Sequence, residues 1–579
     1  MKYIKTPEFV VAILFFLFLA LGMGSRISIE NVKFIQDGVS KDVTLPFSKD
    51  MKAKERFVME FDVVDRYDFS YDMWIIPDDC ANEIIAGEVS IDLSGITRRC
   101  DYTNGFTLTS RELASYRQKG KTHYSVALQN QGGPGGIKVF LKMKSVASWV
   151  INAAAVLLFA ALFVLLVRRA RLRKSLLVML FIGIVFRTAF FIAIPYTTFA
   201  MDVDGHMAYI QYIAEKHAIP GDHDCWSCYH PPVYYVASVP SYLLSGFWGM
   251  PGSVGLQGFS LLLSVLTTFF GVLFLRSFLE GRNLLLASFL WIFWPLMIMV
   301  APRVGNDQLF FLLHVLCLWG GMNYVKGGRG KYLIVAVIAT ALAMWTKMTA
   351  VVSLGMLVVF AVSGFFVNAR SLKPTKSEVV AWSLFVLLIV GLAIDKLTNS
   401  DLVGNINTLH SKLKVGNDMY NYLYFDMRSF LQYPFTSCWN PEMGREFFWN
   451  FLFKTSLFGE YEMSTLHAAR VLATVMSVTL LGLVVYAARA FWKSRLDFVH
   501  WILVLHAFAF LAALMALRIK YPYACSGDFR YILPVLLSFC PFVAEGISLE
   551  SSSVKWRGLG YALVATFALS TVFLYILVM

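Results

Sequence analysis

Charge is scarce in this sequence. Of its 579 residues only 15% are Asp, Glu, Lys or Arg, where a soluble chain of this size carries about 25%. Internal repeats are also lacking, which counts against a transporter built from duplicated halves. What fills the chain instead is apolar: 57% of residues are hydrophobic, and the mean hydropathy is +0.61. These residues come in runs of about 20, the length that crosses a hydrocarbon core of about 30 Å. VINAAAVLLFAALFVLLV, FSLLLSVLTTFFGVLFL and LASFLWIFWPLMIMVA are examples. Such runs are too many to be the buried helices of a soluble core, so the sequence predicts a polytopic α-helical membrane protein.

The net charge of +13 does not point to nucleic acid. The basic residues fall in short clusters between apolar runs, which is the positive-inside pattern of membrane proteins. The strongest cluster is Arg168, Arg169, Arg171, Arg173 and Lys174. Following parity from there predicts about thirteen spans, with Asp202, Asp307, Lys347 and Arg530 all on the outer side. One apolar piece, 233–248, would invert every later cluster if it crossed, so it is expected to be re-entrant or interfacial.

Four regions follow. Residues 1–24, with Lys2 and Lys5 before an apolar run, form an anchor or a signal segment. Residues 25–145 lack any spanning run and read as an exported domain. Residues 146–174 are a linking transmembrane helix and a basic turn. Residues 175–579 form the main transmembrane domain, with outer loops at 197–255 and 397–464.

The exported region alternates apolar and polar residues in short runs such as RFVMEFDVV and HYSVALQN, separated by DD, NG and GGPGG. That pattern predicts a β-sandwich. Cys80 and Cys100 are candidates for a disulfide there. IIPDDCANEIIAGEVSID and QNQGGPGGIKVF resemble the jelly-roll carbohydrate-binding modules. A lid or structural domain with no ligand of its own is the other reading.

Several clusters carry residues suited to chemistry. Asp202 and Asp204 lie past a span end in MDVDGH. A carboxylate held there can deprotonate a hydroxyl, and a D-x-D pair can hold a divalent cation; solvated loop acids would look the same. Cys225, Cys228 and His230 follow, readable as a disulfide, a zinc site or free thiols. Asn306 and Asp307 stand where they can cap the helix starting near Gln308. Lys347, between two apolar stretches, needs an anion or a path to the interface. Arg518, Lys520 and Arg530 form a basic outer patch against the positive-inside bias, with Asp528 the acid among them; arginine suits phosphate. The aromatic loop at 397–464 carries Lys454 and Glu460 and suits interfacial helices or sugar stacking.

Taken in order, these motifs are an acid-bearing first loop, Pro231-Pro232-Val233-Tyr234-Tyr235, Asn306-Asp307, Thr346-Lys347 and Arg530-Tyr531-Ile532-Leu533-Pro534. Over residues 175–550 that order resembles the GT-C superfamily of polyprenyl-phosphate-sugar-dependent glycosyltransferases, such as protein O-mannosyltransferases and aminoarabinose transferases. The resemblance implies a GT-C-like core. It also implies transfer of a sugar from a polyprenyl-phosphate donor to a lipid, glycan or protein acceptor. Asp202 takes the base's place, and Asp204 stands for the second acid because Val203 occupies its usual position. A divalent metal on this pair stays open. Lys347, Arg518, Lys520 and Arg530 are expected to hold the donor phosphate. His206, Tyr209, His230, Tyr234, Asn306, Asp307, Lys454, Glu460 and Tyr531 are expected to contact substrate. The expected setting is a bacterial inner membrane, with the site facing the periplasm. A transporter and a noncatalytic glycan-binding or assembly protein are the alternatives.

Overall fold

The computed structural model describes isolated positions before residue 27. From there it describes every residue except 44, 46, 66–69, 78, 94–95, 97–98, 101–104, 131–132, 144–145, 195, 197, 200–201, 223, 248–251, 369–374, 399–410, 495 and 550–552. The expected anchor or signal segment and part of the expected 397–464 loop therefore lie outside the described residues. The chain divides into two compact units, Met1–Arg171 and Leu172–Met579.

Among its described residues the first unit holds ten strands in two antiparallel sheets: β1 (Ser28–Gln36), β2 (Val39–Asp42), β3 (Phe47–Met51), β4 (Arg56–Asp65), β5 (Tyr71–Pro77), β6 (Cys80–Ala86), β7 (Val89–Ile91), β8 (Phe106–Leu108), β9 (Gly120–Gln129) and β10 (Gly133–Met143). One sheet runs β2-β1-β4-β9-β6-β7 and the other β3-β10-β5-β8. Alternation explains the packing. Phe57, Met59 and Phe61 of β4 point inward, as do Tyr124, Val126 and Leu128 of β9, and they meet Met73, Ile75, Ile137 and Val139 of the other sheet. Each such burial contributes about 1.5–3 kcal/mol. Gln36 pairs with Val39 across Asp37-Gly38. Both turn residues have positive φ, 52° and 77°, as the two-residue hairpin requires and Asp-Gly supplies. The predicted sandwich is present, and Cys80 and Cys100 form the expected disulfide. A one-turn helix, α1 (Ser110–Leu113), and the long apolar α2 (Val146–Val167) complete the unit.

The second unit is helical. α3 (Lys174–Ala193) precedes α4 (Val203–Lys216) and α5 (Val233–Phe247). α6 (Gly252–Arg276), α7 (Gly281–Phe293) and the short α8 (Pro295–Met299) lead to α9 (Asp307–Gly327). α10 (Gly330–Met344), α11 (Val351–Asn368) and α12 (Lys376–Thr398) come next. Three short helices, α13 (Met419–Leu423), α14 (Met427–Gln432) and α15 (Phe448–Phe458), precede the long α16 (His467–Lys493). α17 (Phe498–Lys520), α18 (Leu536–Ser548) and α19 (Val554–Val578) end the chain.

Among the described residues, eight helices are long and apolar enough to cross a membrane. The charge pattern predicts about thirteen spans. Part of the difference lies at α7 and α10, which are apolar but shorter. α7 stops because Pro295 opens α8, and α10 stops at the turn carrying Lys347. α5, at 15 residues, is about 22 Å long. It is too short for a hydrocarbon core of about 30 Å, in keeping with a re-entrant or interfacial place.

α9 lies against α6, α10 and α11, and α16 against α18 and α19. At Gly546 of α18 an added Cβ would stand 2.0 Å from the Tyr486 carbonyl oxygen, so the α16–α18 approach requires glycine. Four helices are also joined by a buried polar chain. His314 Nδ1 lies 2.7 Å from Ser353 Oγ, His314 Nε2 2.9 Å from His506 Nε2, and His506 Nδ1 2.7 Å from Ser538 Oγ. This packing sets the start of α9, the α10–α11 turn and the segment before α18 against one another.

Candidate active site

The turn after α10 is fixed by two bonds. The Trp345 carbonyl accepts from Val233 N at 3.1 Å, and the Thr346 carbonyl accepts from Asn306 Nδ2 at 3.3 Å. Lys347 is thereby aimed at the start of α9, where its ammonium donates to Asp307 Oδ1. Neither Asn306 nor Asp307 acts as the simple cap their residue types allow. Asn306 makes no capping bond because its amide goes to Thr346, and Asp307 spends its carboxylate on cations.

Arg530 reaches the same acid from the other side. Asp528 opens a 3-10 segment, Phe529–Val535, its Oδ1 accepting from Arg530 N at 2.9 Å. The Arg530 Nε lies 3.4 Å from Asp528 Oδ2 and 3.6 Å from Asp307 Oδ2. Tyr531 lies against both cations, with Lys347 Nζ 4.8 Å and Arg530 Cζ 4.9 Å from its ring centroid. Each such contact is worth about 0.5–2 kcal/mol. Arg303 is buried nearby and acts electrostatically on Asp307 and Lys347. Lys347, Arg530 and Arg303 thus surround the buried carboxylate of Asp307, with Asp528 beside Arg530.

Aromatic residues of α4, α5 and the loop between them wall this cluster. His206 Nδ1 lies 2.8 Å from the Tyr235 hydroxyl, and the ring stacks on His230 at 5.6 Å. Tyr209 stacks on Tyr235 at 3.8 Å and donates to the His230 carbonyl at 3.4 Å. The Tyr234 hydroxyl accepts from Gly305 N at 3.0 Å, pinning the turn that carries Asn306 and Asp307. Burial, then the positive charge of Lys347 and to a lesser extent Arg530, pushes the His230 imidazole down to about 4, with Asp307 opposing. Burial and His230 likewise hold His206 well below the usual histidine range. Both rings are neutral near pH 7, so the wall adds no charge of its own.

The two acids of MDVDGH part company. Asp202 is exposed and caps α4 with left-handed backbone, φ 55°, a region Asp enters more readily than most residues. Burial pushes the Tyr229 hydroxyl up to about 12; Asp202 pushes the same way and Arg530 opposes it. The same two opposed charges act on Tyr461. Asp202 and Arg530 thus both act electrostatically on Tyr229 and Tyr461. Asp204 acts instead on Tyr196.

The remaining expected site residues divide. Glu460 is buried, 3% exposed, beside Asp528 and Cys438. Burial and the Asp528 charge hold its carboxyl well above the usual range against the pull of Arg530. Lys454 points elsewhere, donating to the carbonyls of Ser429, at 3.0 Å, and Tyr433. Burial pushes it down to about 7 against the pull of Asp426, and it ties α15 to α14. Arg518 and Lys520 do not join the phosphate-binding group expected of them. Both stand in the last turn of α17, where the chain bends before reaching Arg530. Arg518 is buried with Nη2 3.5 Å from the Glu446 carbonyl, and Lys520 lies over Tyr521 at 5.3 Å.

Cys225 and Cys228 are joined as a disulfide, which removes them as zinc ligands. Among the described residues no group of three or more His, Cys, Asp and Glu side chains is placed to hold a metal. Arg303, Tyr229, Tyr235, Tyr461 and Asp528 belong to the site but were not picked out as site residues from sequence. Arg303, in RVGND, and Tyr235, in PPVYY, stood inside motifs already noted.

Comparison with known proteins gives one sequence match. The profile of the family described as dolichyl-phosphate-mannose-protein mannosyltransferase matches residues 230–394, a stretch holding His230, Tyr234, Asp307 and Lys347. No curated protein matches the chain. Solved structures with a similar course include the archaeal oligosaccharyltransferase AglB from Archaeoglobus fulgidus in complex with an inhibitory peptide and a dolichol-phosphate. It is 14% identical, with a TM-score of 0.39, over 69% of this chain and 55% of that one. The Archaeoglobus fulgidus oligosaccharyltransferase tethered to an acceptor peptide containing the NVT sequon is also 14% identical, with a TM-score of 0.40, over 69% of this chain and 54% of that one. The chain thus spans about half the length of these structures. Over residues 230–394 the chain is thus similar to a family of glycosyltransferases.

Proposed function

We propose that the protein transfers a sugar from a polyprenyl-phosphate donor to the hydroxyl of a lipid, glycan or protein acceptor. We place the reaction on the outer, periplasmic face of a bacterial inner membrane, on the parity of the basic clusters. The observation that carries the reading is the convergence of Lys347 and Arg530 on Asp307.

In this mechanism Asp202 takes the proton from the acceptor hydroxyl as its oxygen bonds to the sugar's anomeric carbon. The bond from that carbon to the phosphate oxygen breaks, and its electron pair leaves with the lipid phosphate. Negative charge grows on the phosphate during this step. Lys347 and Arg530, with Arg303 behind them, meet it with fixed positive charge. The interaction is stronger in the transition state than in the ground state, which is the condition for raising the rate. Asp307 positions the two cations, and Tyr531 keeps their side chains in place. The neutral His206–His230 wall excludes water without cancelling that charge. Asp202 is favoured over Asp204 as base because Asp202 and Arg530 act on the same two tyrosines, Tyr229 and Tyr461.

The test is transfer from a labelled polyprenyl-phosphate sugar by the reconstituted full chain. Asp202→Asn is expected to lower the rate about 10²–10⁴-fold, and Asp204→Asn to leave most of it. Unchanged transfer by a folded Asp202→Asn protein would sink the base assignment. Solute uptake into proteoliposomes without transfer would favour a transporter instead.

A further inference from the structure

At the far end of α16 from Glu460 and Tyr461 lies a second site that the transfer reaction does not use. α16 has 27 residues, so its two ends lie about 40 Å apart. A cavity of about 360 Å³ opens there, lined by Val485, Tyr486, Ala488, Arg489, Trp492, Lys493 and Trp556. Its size falls within the roughly 300–1,000 Å³ of small-ligand pockets. Two lining residues are cations and none is an acid.

The site is built rather than incidental. The Tyr486 hydroxyl donates to the Trp556 carbonyl at 2.6 Å, locking α16 to the first turn of α19. Ser553 caps that turn by accepting from Trp556 N at 3.3 Å. The Arg489 guanidinium lies 5.5 Å from the centroid of the Trp556 ring, and its Nε is buried without a hydrogen-bond partner. A desolvated guanidinium donor is costly until an acceptor arrives. Trp492 is 80% exposed and Val485 57% exposed, so the mouth of the cavity is apolar. Val478, two turns along α16 from Val485, is also exposed and continues the apolar strip along one helix face.

We propose that this cavity binds an anionic phospholipid of the surrounding membrane. The phosphate would sit on Arg489 and Lys493, the glycerol region between Trp492 and Trp556, and an acyl chain along Val485 and Val478. Charge complementarity selects an anion, and the exposed apolar mouth selects a lipid over a soluble phosphate. Lys555 and Arg557, at the start of α19, add positive charge at the same helix end. Basic pockets between transmembrane helices at the positively charged side are suited to anionic headgroups. The site is independent of the transfer reaction.

The experiment is native mass spectrometry of the full chain in detergent with added phosphatidylglycerol or phosphatidylcholine. The wild-type protein is expected to retain phosphatidylglycerol in preference. Arg489→Gln and Lys493→Gln are each expected to cut that retention about fivefold, and Trp556→Leu to weaken it less. Lys493 is exposed, so its variant tests the idea even where another fails to fold. Equal retention of the two lipids by wild type, or unchanged phosphatidylglycerol retention in the Arg489→Gln/Lys493→Gln protein, would overturn the proposal. Displacement of the bound lipid by soluble glycerol phosphate at equal concentration would assign the site to a free phosphate and overturn it too.

Discussion

Lys347 and Asp307 form a buried ion pair across the gap between the α10–α11 turn and the start of α9, and Arg530 approaches the second oxygen of the same carboxylate. The pair has two effects. It holds two helical elements together, and it keeps both cations on one carboxylate, where the proposed donor phosphate would meet them.

Removing the acid therefore costs more than losing a bond. Asp307→Ala leaves Lys347 and Arg530 facing each other away from water. Breaking a buried pair from one side typically costs about 3–5 kcal/mol. The thermal midpoint of the purified protein should fall accordingly. Lys347→Met leaves Asp307 facing Arg530, and the Asp307→Ala/Lys347→Met protein should recover part of the loss, since both charges then go. A double-mutant cycle on thermal midpoints reads that coupling. Transfer should be lost in all three proteins.

His230 predicts a pH dependence of stability. Its folded form binds a proton only near pH 4, whereas the unfolded chain binds one near 6.5. Between these values the unfolded state holds more protons. Stability is therefore fully present above about 6.5 and falls as pH drops toward 4, by about 3 kcal/mol. His230→Gln should flatten that slope when thermal midpoints are compared at pH 7 and pH 5. An unchanged slope would mean that another group controls it.

Glu460 is a buried acid of the cluster whose carboxyl is held well above the usual range, which makes amide replacement informative. Glu460→Gln keeps the shape of the protonated acid, so stability is expected to change by less than about 1 kcal/mol at pH 7. Glu460→Ala should cost more, because it opens a cavity beside Asp528 and Arg530. If the carboxyl were ionised and paired with Arg530, Gln would be as damaging as Ala. The folded group keeps its proton above the 4.5 at which the unfolded group loses it. Stability contributed by Glu460 is therefore greatest in acid and declines as pH rises.

Much of this site was legible because charge is rare in the chain. Asp202, Asp307, Lys347 and Arg530 stand out against apolar runs, and basic-cluster parity puts them on one side. Arg518 and Lys520 pass the same filter and still do not join the cluster. Where a side chain points at a helix end depends on the bend that follows, and no local pattern encodes the turn after α17. Lys454 misleads for a similar reason, since its carbonyl partners lie on α14, far from it in sequence. Tyr229 and Tyr461 are two of 26 tyrosines, and only the packing singles them out. The strands of the first unit were easier, because alternation in RFVMEFDVV and HYSVALQN directly records which side faces the core.

His314 and His506 carried no signal at all in sequence, yet they explain how the three charged elements keep their spacing. His314 stands two turns below Asp307 on α9, Ser353 follows Lys347 into α11, and Ser538 follows Arg530 into α18. The chain Ser353–His314–His506–Ser538 thus ties together the helices that carry the three charges, through α17. Only one proton can lie between the two Nε2 atoms, so one ring donates and the other accepts. His506→Phe removes one member and leaves His314 and Ser538 buried without their partners. The cost should be about 1–3 kcal/mol for each group left unpaired. His314→Phe/His506→Phe should cost less than the sum of the single changes, because the unpaired partner goes as well. If the network also positions the charges, His506→Phe should weaken transfer at temperatures where the protein is still folded. Transfer at the wild-type rate below the melting transition would limit its role to stability.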